Sequence, residues 1–146
     1  MTALFEHSPW VEARAEARPS SGDRHADLMA VVHEATREEQ LALIRAHPEL
    51  AGKAAVDGML TGASAAEQAS ADLDRLTQAE FDRFHALNAA WRDKFGFPFI
   101  ICVRLTDKAG ILAAMERRLG NDRETEIATA LDEIGKIVRL RLEATA

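Results

Sequence analysis

The sequence has few of the residues and patterns that mark secreted, membrane-spanning or nucleic-acid-binding proteins. Its only cysteine is Cys102, so the chain cannot form an internal disulfide and a reducing compartment is expected. It has no basic tract, and its formal net charge of -6 opposes binding to nucleic acids or anionic membranes. The longest apolar run, residues 95–103, is interrupted by Gly96 and Pro98 and is far shorter than the ~20 residues that span a bilayer. Neither a nucleic acid nor a membrane is therefore expected as a partner.

The two ends of the sequence also lack targeting signals. No basic segment followed by an apolar one occurs at the start, and residues 143–146 are not a peroxisomal signal. These absences predict a cytoplasmic protein. With 146 residues, 47% hydrophobic and 29% charged, the chain is long enough to bury a core without disulfides or metals. A single domain over residues 1–146 is expected.

The composition is typical of an all-α protein. Alanine, leucine, glutamate and arginine are abundant, tyrosine is absent, and β-branched residues do not alternate over the length of a strand. Two capping boxes, Thr36–Glu39 and Thr77–Glu80, each predict the start of a helix, and Gly96 before Pro98 predicts the end of one. The pattern predicts one compact bundle of about seven helices, with approximate ranges Ser8–Arg18, His25–Ala35, Thr36–Ala46, Thr61–Leu73, Thr77–Phe95, Lys108–Leu119 and Arg123–Ala144.

A histidine followed by a proline is the first candidate for chemistry. His47 comes at the end of a predicted helix, because Pro48 disfavours helical geometry in the residue before it. The negative end of the helix dipole favours a protonated imidazole, and imidazole titrates near neutral pH, which suits general acid–base catalysis. The alternative is a histidine that only caps the helix.

Ser64 and Glu67 also allow two interpretations. Their spacing forms a capping box, in which the serine hydroxyl accepts a hydrogen bond from the Glu67 amide. In that case Ser64 only begins a helix and Glu67 is a solvated carboxylate. With Gln68 beside them, the same residues could instead belong to a site with His47.

The apolar segment Phe99–Val103 is most simply part of the core, with Cys102 as a buried thiol that takes no part in chemistry. A chain interrupted by glycine and proline also leaves backbone amide and carbonyl groups unpaired, and a ligand can satisfy them. Further along, Arg139 and Arg141 are two residues apart on a predicted helix and must face different directions. One can point inward while the other is solvated.

No metal or nucleotide site is predicted. The histidines and the single cysteine show neither HxxxH nor CxxC spacing. The glycine pair Gly58 and Gly62 is not followed by the lysine of a phosphate-binding loop. No cofactor is therefore expected.

Three phrases of the sequence resemble the OHCU decarboxylase family, and they occur in the family's order. They are His47-Pro48 with Ser64-Ala65-Ala66-Glu67-Gln68, then Phe95–Ile100, then Arg139–Leu142. The phrase His7–Trp10 also matches, and the resemblance runs from about Phe5 to Leu142. Members of the family usually carry a further helix before this start. Either the natural protein begins upstream or it lacks that helix.

The resemblance implies a cofactor-independent carboxy-lyase that converts 2-oxo-4-hydroxy-4-carboxy-5-ureidoimidazoline (OHCU) to (S)-allantoin in urate degradation. It implies His47 as general acid and base, with Glu67 orienting it or handling the substrate hydroxyl proton. It also favours Arg141 over Arg139 as the arginine that binds the anionic substrate. The alternative is a non-enzymatic helical module that binds a small ligand or a partner helix, with His47 only capping.

The resemblance further implies a wall of apolar side chains and backbone groups around a small-molecule ureide. Phe97 and Phe99 are expected to exclude water from the leaving carboxylate. A second copy of the chain is expected as a partner, in a homodimer. The implied substrate-binding residues are Pro48, Ser64, Ala65, Ala66, Glu67, Gln68, Phe99, Ile100, Ile101, Cys102 and Val103.

Overall fold

The computed structural model describes residues 4–5, 7–51, 62–73 and 75–145. This part of the chain contains seven α-helices, one 3₁₀ turn and no β-strand, which confirms the predicted all-α fold. The 3₁₀ turn covers Val103–Leu105. The helices are α1 (Trp10–Glu16), α2 (Arg24–Glu34), α3 (Arg37–Arg45), α4 (Gly62–Ser70), α5 (Gln78–Phe95), α6 (Lys108–Arg118) and α7 (Arg123–Thr145).

The two predicted capping boxes are present. At the start of α3, the Thr36 hydroxyl accepts from the Glu39 amide at 3.1 Å, and the Glu39 carboxylate accepts from the Thr36 amide at 3.0 Å. Thr77 and Glu80 make the same pair of bonds at the start of α5, at 3.1 and 2.9 Å. Both boxes satisfy amides that have no partner within the helix. Local sequence therefore sets where these two helices begin.

Gly96 ends α5 in the predicted way. Its φ of 76° lies in the left-handed region, and its amide donates to the Arg92 carbonyl at 2.9 Å. The left-handed conformation strains any residue with a β-carbon, so glycine is suited to this position. Pro98 then directs the chain away from the helix axis.

Other helix starts differ from the predictions. The predicted range Ser8–Arg18 begins too early, because Pro9 is the N-cap of α1, and no side chain caps that helix. Ser8 is buried and precedes the N-cap. α2 begins one residue earlier than predicted, because the Asp23 side chain accepts from the Ala26 amide at 3.1 Å. The predicted start of α4 at Thr61 lies outside the described residues, as does Gly58.

Aromatic side chains from α5 form the centre of the core. Trp91 is 1% exposed, and its ring lies 4.4 Å from the ring of Phe95 and 5.0 Å from that of Phe99. Its indole N–H donates to the Met115 carbonyl in α6 at 3.2 Å, so the one polar atom of the ring is satisfied. Burial of these large side chains is the main stabilising contribution at this point of the fold.

The last helix is packed by several others. α2 and α3 contact α7, α4 contacts the 3₁₀ turn, and α5 contacts α6. This arrangement brings α4, the segment before the 3₁₀ turn and the C-terminal half of α7 around one space, beside the end of α3. None of the helices in the described part of the chain is long and apolar enough to cross a membrane.

Candidate active site

A cleft of about 500 Å³, partly open to solvent, lies between the end of α3, α4, the segment 99–104 and α7. Four parts of the chain that are distant in sequence contribute to its walls. The lining residues are His47, Pro48, Leu50, Ser64, Glu67, Gln68, Phe99, Ile100, Ile101, Cys102, Val103, Arg104, Ile137, Leu140 and Arg141.

His47 is oriented by the end of α3. Its amide donates to the Ile44 carbonyl at 3.1 Å, and its ring Nδ1 lies 2.9 Å from the Leu43 carbonyl oxygen. A carbonyl oxygen can only accept, so Nδ1 carries the proton in this contact. The contact selects the tautomer in which Nε2 is the basic nitrogen of the neutral ring. The half-buried imidazole is therefore held in one orientation at the edge of the cleft.

Gln68 holds the loop that follows His47. Its side-chain oxygen accepts from the Ala51 amide at 3.0 Å, and its side-chain nitrogen donates to the Glu49 carbonyl at 3.3 Å. Asn88 in α5 donates to the Leu50 carbonyl between them at 2.9 Å. Ala51 has a φ of 52°, which is uncommon for a residue with a β-carbon and is stabilised here by the Gln68 contact. Gln68 thus lines the cleft while its amide group binds backbone.

A bidentate ion pair in the cleft joins Glu67 to Arg141. Arg141 Nε lies 2.7 Å from one carboxylate oxygen and Nη2 lies 2.7 Å from the other, a bidentate pair. Nη1 donates to the Leu4 carbonyl at 3.0 Å. The side chains are 14% exposed for Glu67 and 6% for Arg141. A buried charge pair of this kind is expensive to desolvate, and this one lies in the wall of the cleft.

Helix geometry explains which residues of α4 face the cleft. Ser64, Glu67 and Gln68 have the i, i+3, i+4 spacing of one helix face, and all three line the cleft. Ala65 and Ala66 are exposed and lie outside it. α4 begins at Gly62, so Ser64 lies inside the first turn and is not the N-cap. The interpretation of Ser64 and Glu67 as a capping box is therefore wrong.

The segment 99–103 is held from behind by two charged side chains. Arg118 Nη1 in α6 donates to the Ile100 carbonyl at 2.9 Å. The Cys102 amide donates to the Glu133 carboxylate in α7 at 3.0 Å. Burial raises the pKa of the Cys102 thiol above its ordinary value, and the carboxylates of Glu133 and Glu67 raise it further. The thiol is therefore protonated and is a poor nucleophile at neutral pH.

Only one of the two predicted wall phenylalanines faces the cleft. Phe99 lines it, but Phe97 is absent from its walls and is 2% exposed. The Phe97 ring stacks on Phe95 at 5.7 Å, and the guanidinium of Arg123 lies 5.7 Å from its centroid. Phe97 therefore belongs to the core beside α5, and the expectation that it excludes water from the cleft is wrong.

The two arginines near the C-terminus lie on different sides of α7. Arg141 is buried in the cleft, whereas Arg139 is exposed and its Nη2 donates to His25 Nδ1 at 3.1 Å. His25 Nε2 in turn donates to the Gly135 carbonyl at 2.8 Å. Two residues correspond to about 200° of rotation around a helix, which accounts for the separation.

Comparison with known proteins identifies the family. The family model described as OHCU decarboxylase matches residues 1–143, which is almost the whole chain. The chain belongs to the OHCU decarboxylase family.

Relatives in this family come from distant organisms. A protein of the archaeon Haloferax volcanii named 2-oxo-4-hydroxy-4-carboxy-5-ureidoimidazoline decarboxylase is 44% identical over 95% of this chain and 82% of its own length. The mouse protein of the same name is 38% identical over 95% of this chain and 80% of its own length.

Two solved structures are also similar. One, described as (S)-allantoin synthase, has a TM-score of 0.70 and 32% identity. The match covers 97% of this chain and 46% of that one. The other, described as OHCU decarboxylase in the presence of (S)-allantoin, has a TM-score of 0.73 and 20% identity. The match covers 91% of that chain and 94% of this one. At 20% identity, this similarity supports the fold alone.

Several residues that line the cleft lie outside the sequence phrases that resemble the family. They are Leu50, Arg104 and Ile137. A helical pattern offered a signal for Ile137 alone, because positions 126, 130, 133, 137 and 141 share one face of α7. That face carries buried charged residues as well as apolar ones.

A metal site is not formed by the described residues. In residues 4–5, 7–51, 62–73 and 75–145, no three His, Cys, Asp or Glu side chains are grouped so that they could hold a metal ion. The charged groups of the cleft that are described are the Glu67–Arg141 pair and Arg104, with the imidazole of His47 as the titratable base. The chemistry available to these side chains is proton transfer and anion binding.

Proposed function

We propose that this cleft is the active site of a carboxy-lyase that converts OHCU to (S)-allantoin in urate degradation, without a cofactor. The observation that carries the proposal is the meeting of His47, Glu67 and Arg141 in one cleft, from segments widely separated in sequence. A proton-transfer group and an anion-binding group side by side suit an anionic substrate that loses carbon dioxide and gains a proton. Membership of the OHCU decarboxylase family supports the same reaction.

The reaction needs a place for the electron pair that carbon dioxide leaves behind. The bond between the ring carbon and the carboxylate breaks, and its electrons move into the imidazoline C=N of the substrate itself. A proton then has to reach one face of the ring. We assign this proton transfer to His47, since the Leu43 contact orients the ring and makes Nε2 its basic nitrogen.

Arg141 is assigned to substrate binding. Its guanidinium stays charged at every pH relevant to the enzyme, and Glu67 already balances that charge. A balanced pair orients an anionic substrate without a large net attraction for its carboxylate. Strong stabilisation of that carboxylate would favour the substrate over the transition state and slow the reaction. The prediction that Glu67 orients His47 or takes the substrate hydroxyl proton stays a prediction.

The segment 99–103 is assigned to holding the ring and its ureido arm. The amides of Ile101 and Val103 have no hydrogen-bond acceptor among the described residues, and both residues line the cleft. Ring and ureido groups of the substrate carry matching acceptors. Phe99 supplies an apolar wall that excludes water from the reacting carboxylate.

The proposal is tested by supplying the purified protein with freshly generated OHCU and following (S)-allantoin by circular dichroism. The wild type should accelerate formation of the single enantiomer over the spontaneous reaction. His47→Asn should lower kcat by about 10²–10⁴-fold, the usual contribution of a general acid or base. His85→Asn, which changes an exposed histidine of α5, is the matched control and should keep wild-type activity.

The same assay defines the contrary result. Wild-type turnover in a folded His47→Asn protein removes His47 from the mechanism. A wild-type protein that does not accelerate the reaction favours the alternative of a helical binding module, with His47 as a capping residue.

We also propose that the protein acts in the cytoplasm as a homodimer. The single free, buried cysteine is consistent with a reducing compartment, and the family resemblance favours a dimer. Size-exclusion chromatography with light scattering should give twice the chain mass of 16.0 kDa. A mass that stays at the monomer value at micromolar concentration contradicts the dimer.

A further inference from the structure

Two buried charged residues contact the cleft wall from the side away from the cleft. Arg118 is 6% exposed and Glu133 is 8% exposed, and neither lines the cleft. Arg118 donates to the Ile100 carbonyl and Glu133 accepts from the Cys102 amide, at 2.9 and 3.0 Å. These two contacts lie on either side of Ile101.

The planarity of the peptide bond makes these contacts informative. In a trans peptide, the C=O of one residue and the N–H of the next point in opposite directions within one plane. The plane that joins Ile100 to Ile101 is anchored through its carbonyl by Arg118, so the Ile101 N–H points away from α6. The plane that joins Ile101 to Cys102 is anchored through its amide by Glu133, so the Ile101 C=O points away from α7.

Ile101 therefore presents a donor and an acceptor together. Neither its N–H nor its C=O has a hydrogen-bond partner within the described residues, and Ile101 lies in the cleft wall. Ile101 is half-buried in the cleft wall, so a ligand that displaces water from it has to satisfy both groups. A cyclic amide or ureide, with an N–H and a C=O on one edge, has the complementary groups.

We propose that Glu133 and Arg118 are positioning residues that hold the two peptide planes around Ile101, so that its N–H and C=O together bind an amide edge of the ureide. The identity of the ligand rests on the proposed function, whereas the orientation of the peptide planes does not. Glu133 is itself held by Lys136 Nζ at 2.5 Å, and Arg118 is held by the Glu126 carboxylate at 3.0 Å. Each anchor is thus fixed by an ion pair of its own.

A purely structural role is the competing explanation. The guanidinium of Arg118 lies 4.5 Å from the Phe99 centroid and pairs with Glu126 inside the core. Residues of this kind stabilise the fold whether or not they orient a binding group. The two roles differ in whether ligand affinity changes in protein that remains folded.

The test replaces Glu133 with residues of similar length. Glu133→Met removes the acceptor for the Cys102 amide but keeps volume and helix propensity. Glu133→Gln keeps an oxygen acceptor. Asp132→Asn is the matched control, because it removes an exposed charge from the neighbouring position of α7. The measurements are the Kd of (S)-allantoin by calorimetry, KM and kcat with OHCU, the melting temperature, and amide hydrogen exchange at Ile101 and Cys102 by NMR.

Glu133→Met is expected to raise the Kd of (S)-allantoin and the KM for OHCU by about tenfold, since the two hydrogen bonds at Ile101 lose their geometry. The change in kcat should be smaller, and exchange at Cys102 should become faster. Glu133→Gln should restore Kd and KM to within about threefold of wild type, and Asp132→Asn should match wild type. If Glu133→Met does not fold, Arg118→Lys serves as the second variant, because it keeps the charge beside Glu126.

The outcomes separate this proposal from the proposed function. Unchanged Kd and KM in folded Glu133→Met overturn the positioning role, even if the protein melts earlier. If Glu133→Met and Arg118→Lys both fail to fold while Glu133→Gln behaves as wild type, the residues are structural and the proposal is also overturned. A wild type that neither turns over OHCU nor binds (S)-allantoin overturns the proposed function. In that case amide exchange still tests the orientation of the peptide planes. If the Cys102 amide of Glu133→Met exchanges as slowly as that of the wild type, the anchoring of this plane by Glu133 is overturned.

Discussion

Arg139 and Arg141 are separated by a single leucine, yet their surroundings differ completely. Arg139 is exposed beside His25, and Arg141 is buried with both of its pairing nitrogens on Glu67. Exposed ion contacts contribute little to stability, whereas breaking a buried pair costs several kcal/mol, roughly 3–5. Replacing each arginine with the same residue therefore compares the effects of the two environments directly.

We expect Arg141→Lys to lower kcat/KM by about 10–100-fold. Lysine keeps the charge but not the planar fork, so at least one charge-assisted hydrogen bond, worth roughly 1.5–3 kcal/mol, is lost. Arg139→Lys is the matched control and should change stability by less than about 0.5 kcal/mol, with little effect on turnover. Steady-state kinetics on both variants, with circular dichroism to check folding, decide the point. Loss of activity in Arg139→Lys alone would transfer the substrate-binding role to that residue.

At the scale of helices, capping residues also link one helix to another. Glu39 caps α3 through the Thr36 amide, and its carboxylate forms an ion pair with Arg14 of α1. Hydrogen bonding from Arg14, and then from Thr36, lowers the pKa of Glu39 from 4.5 to about 2. A single carboxylate thus joins the start of α3 to the end of α1.

This lowered pKa predicts a pH dependence of stability. A carboxyl group whose pKa is lower in the folded state stabilises the fold above its unfolded value of about 4.5. That contribution is lost as the pH falls through about 2. Glu39→Gln should therefore flatten the fall in melting temperature between these two pH values, modestly, since the group is exposed to solvent. Glu38→Gln, which removes an exposed charge from the same turn, is the control and should keep the wild-type dependence.

At the scale of the whole molecule, the bundle places its functional groups where α3, α4, the segment 99–104 and α7 meet. No group of side chains able to hold a metal is found in the part of the chain that the structure describes. The proposed reaction uses the substrate's own C=N for the electron pair.

We therefore expect exhaustive dialysis against EDTA to leave kcat/KM for OHCU unchanged. The reason is that the described side chains of the cleft supply proton transfer and anion binding, and no cluster of metal ligands is found among them. The measurement is the same circular dichroism assay, before and after dialysis, with a buffer-dialysed sample as control. Activity that disappears with EDTA and returns with zinc or manganese would show that a metal takes part.

The candidate site was predictable from the sequence only in part. His47, Ser64, Glu67, Gln68, Phe99 and Arg141 all line the cleft, as the family phrases indicate. The phrases do not show which of Phe97 and Phe99 lines the cleft, because the side chains of a non-helical segment do not follow a fixed period. They also include Ala65 and Ala66, which helix periodicity directs to solvent. The predicted single domain over residues 1–146 stays a prediction.

By itself, the sequence determined the all-α class and the positions of several helix ends. Capping boxes at Thr36 and Thr77 and the glycine at Gly96 act through bonds between residues at most four apart, so local sequence is sufficient. Only the tertiary structure decided that Glu67 meets Arg141, 74 residues away, and that Glu133 anchors the Cys102 amide. Isolated segments leave such carboxylates in water, and packing of whole helices is needed to bury them beside a specific partner.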